Sequence, residues 1–283
     1  ESLQAHQNFS LNIFLKSYRG SNMSSNFTLA VCSEMVFLDL PHIERVKKIH
    51  SLGFAVEIWD WTQKDIAALA ATGAKFTSMT GYITGRLGDK EGAAELLRTA
   101  EQSIPIAHAL GNPSLNLHGT GLDNKGLPAQ PCFDVTPAMC EQAEITLNQI
   151  ADLGAANGVT FVLENLNLLV DHPNTPFALA KDVIKLVKSV NKPNLKMNFD
   201  IYHAQIGEGN LIELLREALP NIGEVQVADV PGRKEPGTGE INYPMIAKAL
   251  REMNYSGVVG LEAWASGDSE VALARFKEAF VGV

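Results

Sequence analysis

The sequence predicts an α/β fold, a single (β/α)8 barrel of the TIM type, and two observations carry this prediction. Short apolar runs alternate with longer segments in which apolar residues recur three and four positions apart, a pattern typical of parallel strands joined by crossover helices. Eight strand segments follow one another over about 255 residues, the length of one barrel. An open doubly wound sheet is the alternative, because a strand count does not by itself show that a sheet closes.

Glycines mark the ends of several helical segments, where their left-handed conformation can close a helix before the next strand. The glycines at these positions are Gly53, Gly73, Gly111, Gly158 and Gly257. We expect strands at Phe27–Phe37, Ala55–Trp61, Lys75–Ile83, Ser114–Gly119, Val159–Asn165, Leu195–His203, Glu224–Val230 and Val258–Ala263. We expect helices at Leu40–Leu52, Gly92–Leu110, Pro137–Asn157, Pro176–Val190, Leu211–Leu219, Tyr243–Met253 and Ser269–Phe280.

Composition excludes two classes of partner. The 283-residue chain is 46% hydrophobic, but no segment approaches the eighteen or so uninterrupted apolar residues of a membrane span. A net charge of −9 without a basic stripe would repel a phosphate backbone, so we expect no nucleic acid partner. A homo-oligomer stays open, because composition does not address it.

The first 26 residues are polar and rich in serine, and they lack the charged start and apolar region of a secretion signal. We interpret residues 1–26 as an N-terminal extension, either disordered or added during cloning, and place the barrel at residues 27–283. The three cysteines, Cys32, Cys132 and Cys140, do not have metal-site spacing, and an odd number of thiols favours a reducing compartment. We therefore expect a cytoplasmic protein.

Function in such a barrel collects at the carboxyl ends of the strands, where the βα loops form one open face. In four predicted strands the apolar run stops on an oxygen-bearing side chain, and these side chains recur once per βα unit. They are Glu164, Asp200, Gln226 and Glu262. Each alone is explained equally well as a residue that caps a loop or a helix, but four in succession favour convergence at the barrel axis.

Three carboxylates that converge would repel one another unless a cation neutralised them. Carboxylate and amide oxygens suit a hard divalent ion, so we expect Glu164, Asp200, Gln226 and Glu262 to bind one Mg²⁺ or Mn²⁺, with the choice between the two left open. Such an ion polarises a hydroxy-carbonyl substrate and acidifies the neighbouring C–H bond. Glu164 and Glu262 could then flank the substrate as base and acid.

Four further residues are candidates for substrate contact, and each has a plain structural alternative. His203 and His118 could donate to substrate oxygens or be satisfied structural histidines. Arg233, in a loop rich in glycine and proline, could clamp a substrate carboxylate or form a salt bridge that orders its own loop. Glu57 could orient the site or form a hydrogen bond inside the barrel.

Residues 27–283 resemble the xylose isomerase-like TIM barrel superfamily, and specifically the hydroxypyruvate isomerase family. The resemblance rests on ordered motifs: Leu163-Glu164-Asn165-Leu166-Asn167, Phe199-Asp200-Ile201-Tyr202-His203-Ala204-Gln205, Gly209-Asn210-Leu211, the nine residues from Val225 to Arg233, and the eight from Glu235 to Asn242. Ketose 3-epimerases of the superfamily usually have histidine where this chain has Gln226. The family's Asn-Leu-Ser opening of the first strand is replaced here by Leu29-Ala30-Val31-Cys32-Ser33-Glu34.

The resemblance implies an isomerase that interconverts hydroxypyruvate and tartronate semialdehyde through an enediolate. It assigns Glu164 and Glu262 as the proton-transferring pair, Glu164, Asp200, Gln226 and Glu262 as ligands of one divalent metal ion, and His203 and Arg233 as substrate contacts. The alternatives are a 2-oxo-tetronate isomerase or a ketose 3-epimerase, a DNA-repair endonuclease on the same barrel, and a non-catalytic protein that binds a sugar acid.

Overall fold

The computed structural model describes residues 27–281, which form eight parallel strands surrounded by helices. The strands are β1 Thr28–Cys32, β2 Ala55–Ile58, β3 Phe76–Thr80, β4 Ser114–Leu117, β5 Phe161–Glu164, β6 Leu195–Asp200, β7 Ile222–Val227 and β8 Val258–Leu261. The helices are α1 His42–Ser51, α2 Ile66–Ala71, α3 Lys90–Ala109, α4 Pro137–Asn157, α5 Ala180–Val190, α6 Ile201–Gly207, α7 Leu211–Ala218, α8 Tyr243–Glu252 and α9 Ser269–Val281, with a short 3-10 helix at Leu219–Asn221.

The sheet is closed, which confirms the predicted barrel and excludes the open doubly wound alternative. Each strand pairs in parallel with the next along the chain, and β8 pairs with β1. A closed sheet has no free edge, so the strands can be short and still have both edges paired. Closure also brings all eight carboxyl ends to one face of the molecule.

The helices form an outer layer whose apolar faces cover the strands. On α5, for example, Val183, Ile184 and Val187 are buried, at the three- and four-residue spacing that places side chains on one helix face. Aromatic side chains close the region between α9 and the barrel, where Phe276 and Phe280 pack edge to face.

Local sequence explains where several elements begin and end. The Asp89 carboxylate caps α3 by accepting from the backbone N–H of Gly92, and Thr136 caps α4 in the same way. Four of the five expected glycines, Gly53, Gly73, Gly111 and Gly158, have positive φ. The fifth prediction was wrong, because Asn254, with φ of 59°, takes the left-handed position after α8 instead of Gly257.

The structure corrects several predicted boundaries. The first strand ends at Cys32 rather than at Phe37, because the chain turns so that the N–H of Met35 donates to the carbonyl of Cys32. The helix predicted from Pro176 begins at Ala180. The sixth strand ends at Asp200 rather than at His203, because the Asp200 carboxylate accepts from the N–H of His203 and starts α6.

Two helices were not predicted, namely α2 and α6, which have six and seven residues. The predicted extension at residues 1–26 and the last two residues of the predicted barrel lie outside the described residues, so the division at residue 27 stays a prediction. None of the helices between residues 27 and 281 combines the length and apolar character that a membrane crossing requires. Cys32, Cys132 and Cys140 are free thiols.

Candidate active site

Four oxygen-bearing side chains stand at the carboxyl end of the barrel. Glu164 and Asp200 are the last residues of β5 and β6, Gln226 is the penultimate residue of β7, and Glu262 directly follows β8. Asp200 lies beside Gln226 in the strand register, and the N–H of Glu262 donates to the carbonyl of Val227. All four side chains are buried. The fold thus brings the predicted strand ends to one face, while their role as metal ligands stays a prediction.

Glu164 accepts two hydrogen bonds on one carboxylate oxygen. The amide nitrogen of Asn116 donates to its Oε2, and Nε2 of His118 lies 3.0 Å from the same atom. Burial raises the pKa of Glu164. The hydrogen bond and charge of His118, the hydrogen bond of Asn116 and the charge of Arg233 lower it by more, so the pKa lies below the ordinary glutamate value. Glu164 is therefore ionised at neutral pH and suited to accept a proton.

Glu262 is held by two donors, one on each oxygen. The indole nitrogen of Trp59 donates to Oε1 across 2.5 Å, and Nη2 of Arg233 donates to Oε2 across 2.5 Å. Burial raises the pKa of Glu262. The charge of Arg233 lowers this pKa and the charge of Glu164 raises it further, and the resulting pKa is above the ordinary glutamate value. The two glutamates thus have pKa values shifted in opposite directions, as an acid and a base in one site require.

Asp200 and His203 lie close to Glu164. The ligand atoms of these three residues are all within 4.8 Å of one another, which makes them a candidate metal centre. Nε2 of His203 lies 3.9 Å from Oε1 of Glu164. Burial raises the pKa of Asp200, and the charges of Glu164 and Glu262 raise it further. The charge of Arg233 lowers this pKa, but it stays well above the ordinary aspartate value. The sequence predicted His203 as a substrate contact, and the geometry places it among the predicted ligands.

Gln226 connects the strand ends to the interior of the barrel. Its amide oxygen accepts from Nδ2 of Asn198 across 2.7 Å, and its amide nitrogen donates to Oε2 of Glu57 across 3.2 Å. Asn198 also donates to Asn116, which in turn holds Glu164. Glu57 thus accepts a hydrogen bond from Gln226 inside the barrel, and its role in orienting the site stays a prediction.

A further carboxyl group lies deeper in the barrel. Glu224 is fully buried on β7, and Ser78 donates to it across 2.7 Å. Burial raises the pKa of Glu224, the Ser78 hydrogen bond lowers it, and the charges of Glu164 and Glu262 raise it further. The resulting pKa is about 8. Burial and the charge of Glu224 likewise raise the pKa of Glu57 well above the ordinary value.

Arg233 reaches the site from the loop that follows β7. Asp229 is buried and accepts backbone N–H groups along this loop, including those of Gly237 and Ile241, which holds the loop in a fixed shape. Arg233 itself has φ of 53°, a conformation that non-glycine residues seldom adopt. Its partner is Glu262. The alternative of a salt bridge within its own loop is not realised, because Glu235 pairs with Arg275 and Glu240 accepts from Gln205.

The donor set fits a divalent cation. Five buried carboxyl groups lie in and below the site. The negative charge of each one raises the pKa of at least one other, or its own pKa is raised by the charge of another. Arg233 lowers the pKa of Glu164, Asp200 and Glu262, and His118 lowers that of Glu164. A hard ion bound by oxygen ligands would relieve the remaining repulsion. The five carboxyl groups are those of Glu57, Glu164, Asp200, Glu224 and Glu262.

The sequence did not single out the amides that hold these carboxylates. Asn116 and Asn198 sit within strands, where a polar residue is usual on either face, and only the barrel register shows that they face inward. Trp59 packs edge to face on Trp264 and donates to Glu262. Asn167, three residues beyond Glu164 in the quoted motif, contacts His203.

Comparisons with known proteins show the family and the fold of the chain. The family model described as xylose isomerase-like TIM barrel matches residues 46–279. A protein of Pectobacterium atrosepticum named 2-oxo-tetronate isomerase is 30% identical over 251 residues, which are 84% of this chain and 92% of that protein. The protein of Escherichia coli named hydroxypyruvate isomerase is 32% identical over 166 residues, 56% of this chain and 58% of that protein. A crystal structure described as AP endonuclease, family 2, from Brucella melitensis superposes with a TM-score of 0.72 at 28% identity, covering 88% of this chain and 97% of that one.

Proposed function

The chain belongs to the xylose isomerase-like TIM barrel family and, within it, to the hydroxypyruvate isomerase family; it is an isomerase, and we propose that it interconverts hydroxypyruvate and tartronate semialdehyde. The observation that carries the proposal is the pair Glu164 and Glu262, two buried carboxyl groups whose pKa values are shifted in opposite directions at one end of the barrel. In a 1,2-isomerisation one carbon loses a proton and its neighbour gains one, and a base and an acid in one site can divide these two steps.

In the proposed reaction Glu164 accepts a proton from the hydroxymethyl carbon of hydroxypyruvate. Glu262 supplies a proton to the carbonyl carbon, and the hydroxyl proton of the substrate passes to the former carbonyl oxygen. Exchange with solvent then removes the proton from Glu164 and restores that of Glu262, so that atoms and charge balance over one turnover. Each glutamate contributes on the order of 10²–10⁴-fold by general acid–base catalysis. The two indoles at the strand-two and strand-eight loops, Trp59 and Trp264, pack edge to face beside Glu262 and help to exclude water.

Arg233 and His203 are proposed to contact the substrate oxygens. Arg233 uses Nη2 on Glu262, but its buried Nε–H has no hydrogen-bond partner among the described residues. A substrate carboxylate is a natural acceptor for that group. Nε2 of His203 is likewise buried and without a partner in residues 27–281. Both are unsatisfied polar groups of the kind that a bound ligand completes.

We propose that Glu164, Asp200, Gln226 and Glu262 hold one divalent cation, Mg²⁺ or Mn²⁺. When bound, such an ion polarises the substrate carbonyl and acidifies the adjacent C–H bond. The buried carboxyl groups and their mutual effects on pKa support this assignment. His118 contributes by holding Oε2 of Glu164, which leaves Oε1 as the oxygen that faces His203.

A 2-oxo-tetronate isomerase is the second candidate, because the Pectobacterium relative with that name matches over 92% of its length. The two substrates share the hydroxy-carbonyl acid that the site would bind. A ketose 3-epimerase is less favoured, since the resemblance expects histidine at position 226 for that activity. DNA cleavage is not favoured either, because a net charge of −9 opposes contact with a phosphate backbone.

The test is turnover of purified protein with hydroxypyruvate, a 2-oxo-tetronate and a ketose, each with Mg²⁺ or Mn²⁺ in deuterated solvent. We expect conversion of hydroxypyruvate with deuterium incorporated at carbon, loss of activity in Glu164→Gln and Glu262→Gln, and normal activity in the control Glu44→Gln, whose exposed side chain pairs with Lys47. Turnover of the ketose without hydroxypyruvate turnover would contradict the proposal. Binding of hydroxypyruvate, the 2-oxo-tetronate and the ketose without turnover of any of them would also contradict the proposal.

A further inference from the structure

Asn167 lies in the loop that follows β5, and its amide group is fully buried. Its Oδ1 accepts from the backbone N–H of Val170 across 2.9 Å and from that of Asp171 across 3.1 Å. Backbone N–H groups only donate, so these two contacts identify which end of the amide is the oxygen. The orientation of the Asn167 side chain is therefore fixed by its own loop.

The nitrogen end of the amide then faces two acceptors. Nδ2 of Asn167 lies 2.6 Å from Oδ2 of Asp171 and 2.7 Å from Nδ1 of His203. An amide nitrogen carries two hydrogens and no lone pair, and both hydrogens are used here. Nδ1 of His203 must accept the second one, so this ring nitrogen is unprotonated.

A neutral imidazole with a lone pair on Nδ1 carries its hydrogen on Nε2. The His203 ring cannot turn to exchange the two nitrogens freely, because the rings of His172 and Tyr202 pack against it edge to face at centroid distances of 5.0 and 5.1 Å. Burial, with the charge of Arg233, also lowers the pKa of His203 and favours the neutral ring. The Nε2–H group therefore points at Glu164, with no partner in the described part of the chain.

We propose that Asn167 is a positioning residue that keeps His203 in the Nε2–H form, so that His203 donates a hydrogen bond to a substrate oxygen and is not a ligand of the metal ion. A nitrogen that binds a metal must offer a lone pair, and here the lone pair is committed to Asn167 on the other side of the ring. This explains how His203 lies among Glu164 and Asp200 and still has a different role. The identity of the acceptor as a hydroxy-carbonyl oxygen rests on the proposed function.

The first test uses the unaltered protein without metal or substrate. Nitrogen NMR of isotopically labelled histidine distinguishes protonated from unprotonated ring nitrogens, and comparison with His203→Gln assigns the signals of His203. We expect a protonated Nε2 and an unprotonated Nδ1. A protonated Nδ1 overturns the proposal, and this outcome does not depend on any substrate.

The second test replaces Asn167 by aspartate, which keeps the shape and the oxygen that caps the loop but presents an acceptor to Nδ1 of His203. Asp171→Asn is combined with it, because Oδ2 of Asp171 lies 2.6 Å from the replaced nitrogen and would otherwise face a second carboxylate. We expect Nδ1 to become protonated and kcat/KM for the isomerised substrate to fall about 100-fold, the order of effect of losing one donor to a reacting oxygen. Asn148→Asp makes the same chemical change on the outer face of α4, where Asn148 donates only within its helix, and is the control.

An unchanged His203 signal in folded Asn167→Asp would show that Asn167 does not set the tautomer. If no hydroxy-carbonyl substrate is turned over while the NMR signals are as expected, the proposed function fails and the assignment of Asn167 stands. If turnover is found but Nδ1 is protonated in the unaltered protein, the assignment fails and the proposed function stands.

Discussion

Arg233 donates to Glu262 across 2.5 Å, and the two residues come from different loops, one after β7 and the other directly after β8. The guanidinium reaches this position because the buried carboxylate of Asp229 holds the loop and because Arg233 adopts a left-handed backbone conformation. The contact gives Glu262 a cationic partner, and the Nε–H of Arg233 has no acceptor among residues 27–281.

Replacement of Arg233 by glutamine removes both the partner of Glu262 and the proposed contact with the substrate carboxylate. We expect kcat/KM to fall by about 100-fold or more, since a donor to a charged substrate group is lost together with the orientation of the proposed acid. The measurement is steady-state kinetics of Arg233→Gln beside Arg216→Gln, whose pair with Glu213 is on the surface. Equal activity of the two variants would contradict this account of Arg233.

Asp200 is proposed as a metal ligand. Its replacement by asparagine removes one carboxylate, so it changes both the repulsion among the buried carboxylates and the binding of the metal ion, and the two effects are measured without and with metal. Asparagine can still cap α6, as Asp200 does through the N–H of His203. In metal-free protein we expect Asp200→Asn to unfold at the same or a higher temperature, because one of several mutually repelling carboxylates is gone.

Addition of Mn²⁺ to the unaltered protein is expected to raise the unfolding free energy by about 2.7 kcal/mol at a concentration 100 times the Kd. In Asp200→Asn we expect that shift to be reduced or lost. The readout is thermal unfolding with and without chelator, and Asp152→Asn, at an exposed ion pair with Lys192, is the control. An identical metal-induced shift in both variants would exclude Asp200 from the metal site.

Gly260 on β8 leaves room for the Glu57 carboxyl group inside the barrel. A Cβ atom at this position would lie 2.0 Å from Oε1 of Glu57, and the side chain of Glu57 is buried on all sides. We expect Gly260→Ala to lower the unfolding free energy by about 1–3 kcal/mol, the usual effect of overpacking, and to break the contact of Glu57 with Gln226. Chemical denaturation of this variant beside Gly267→Ala, where a Cβ meets nothing within 4 Å, measures the difference. Equal stability would show that Glu57 can move without loss.

The barrel could be predicted because its strands and helices differ in the spacing of apolar residues. The boundaries were less certain where one residue serves two elements. Phe199 and Ile201 continue an apolar run across Asp200, and nothing in that run shows that the aspartate carboxylate turns the chain into α6. The short helix Ile66–Ala71 was missed for another reason, because its apolar and alanine residues leave no polar face to define a period.

The strand-end residues of the site could be predicted for the same reason, since each ends an apolar run. Their partners could not, because contacts such as that of Asn116 with Glu164 join residues 48 positions apart through the barrel register. The assignment of Asn167 depends on hydrogen-bond directions, which the sequence does not contain. Side-chain networks of this kind follow from three-dimensional packing rather than from local pattern.

Glu34 forms a polar cluster beyond the end of β1. Its carboxylate lies 2.9 Å from Nζ of Lys64 and 3.5 Å from Nε2 of His42, and Ser33 donates to it across 3.2 Å. Its side chain is only 16% exposed. Burial raises the pKa of Glu34, but the hydrogen bond of His42 and the charge and hydrogen bond of Lys64 outweigh it and lower the pKa to about 2.

A carboxyl group whose pKa is lower in the folded chain than in the unfolded chain stabilises the fold. The stabilisation is complete at a pH at which the group is ionised in the folded and in the unfolded chain. For Glu34 this stabilisation, on the order of 3 kcal/mol, is complete above the ordinary glutamate pKa of about 4.3 and is lost as the pH falls toward 2. We therefore expect the unfolding free energy of the protein to exceed that of Glu34→Gln by a constant amount from pH 6 to pH 7, and the difference to shrink below pH 4. Denaturant unfolding at each pH measures it, with Glu44→Gln as the surface control. A difference that grows as the pH falls would have the wrong sign and would contradict the role given to Lys64 and His42.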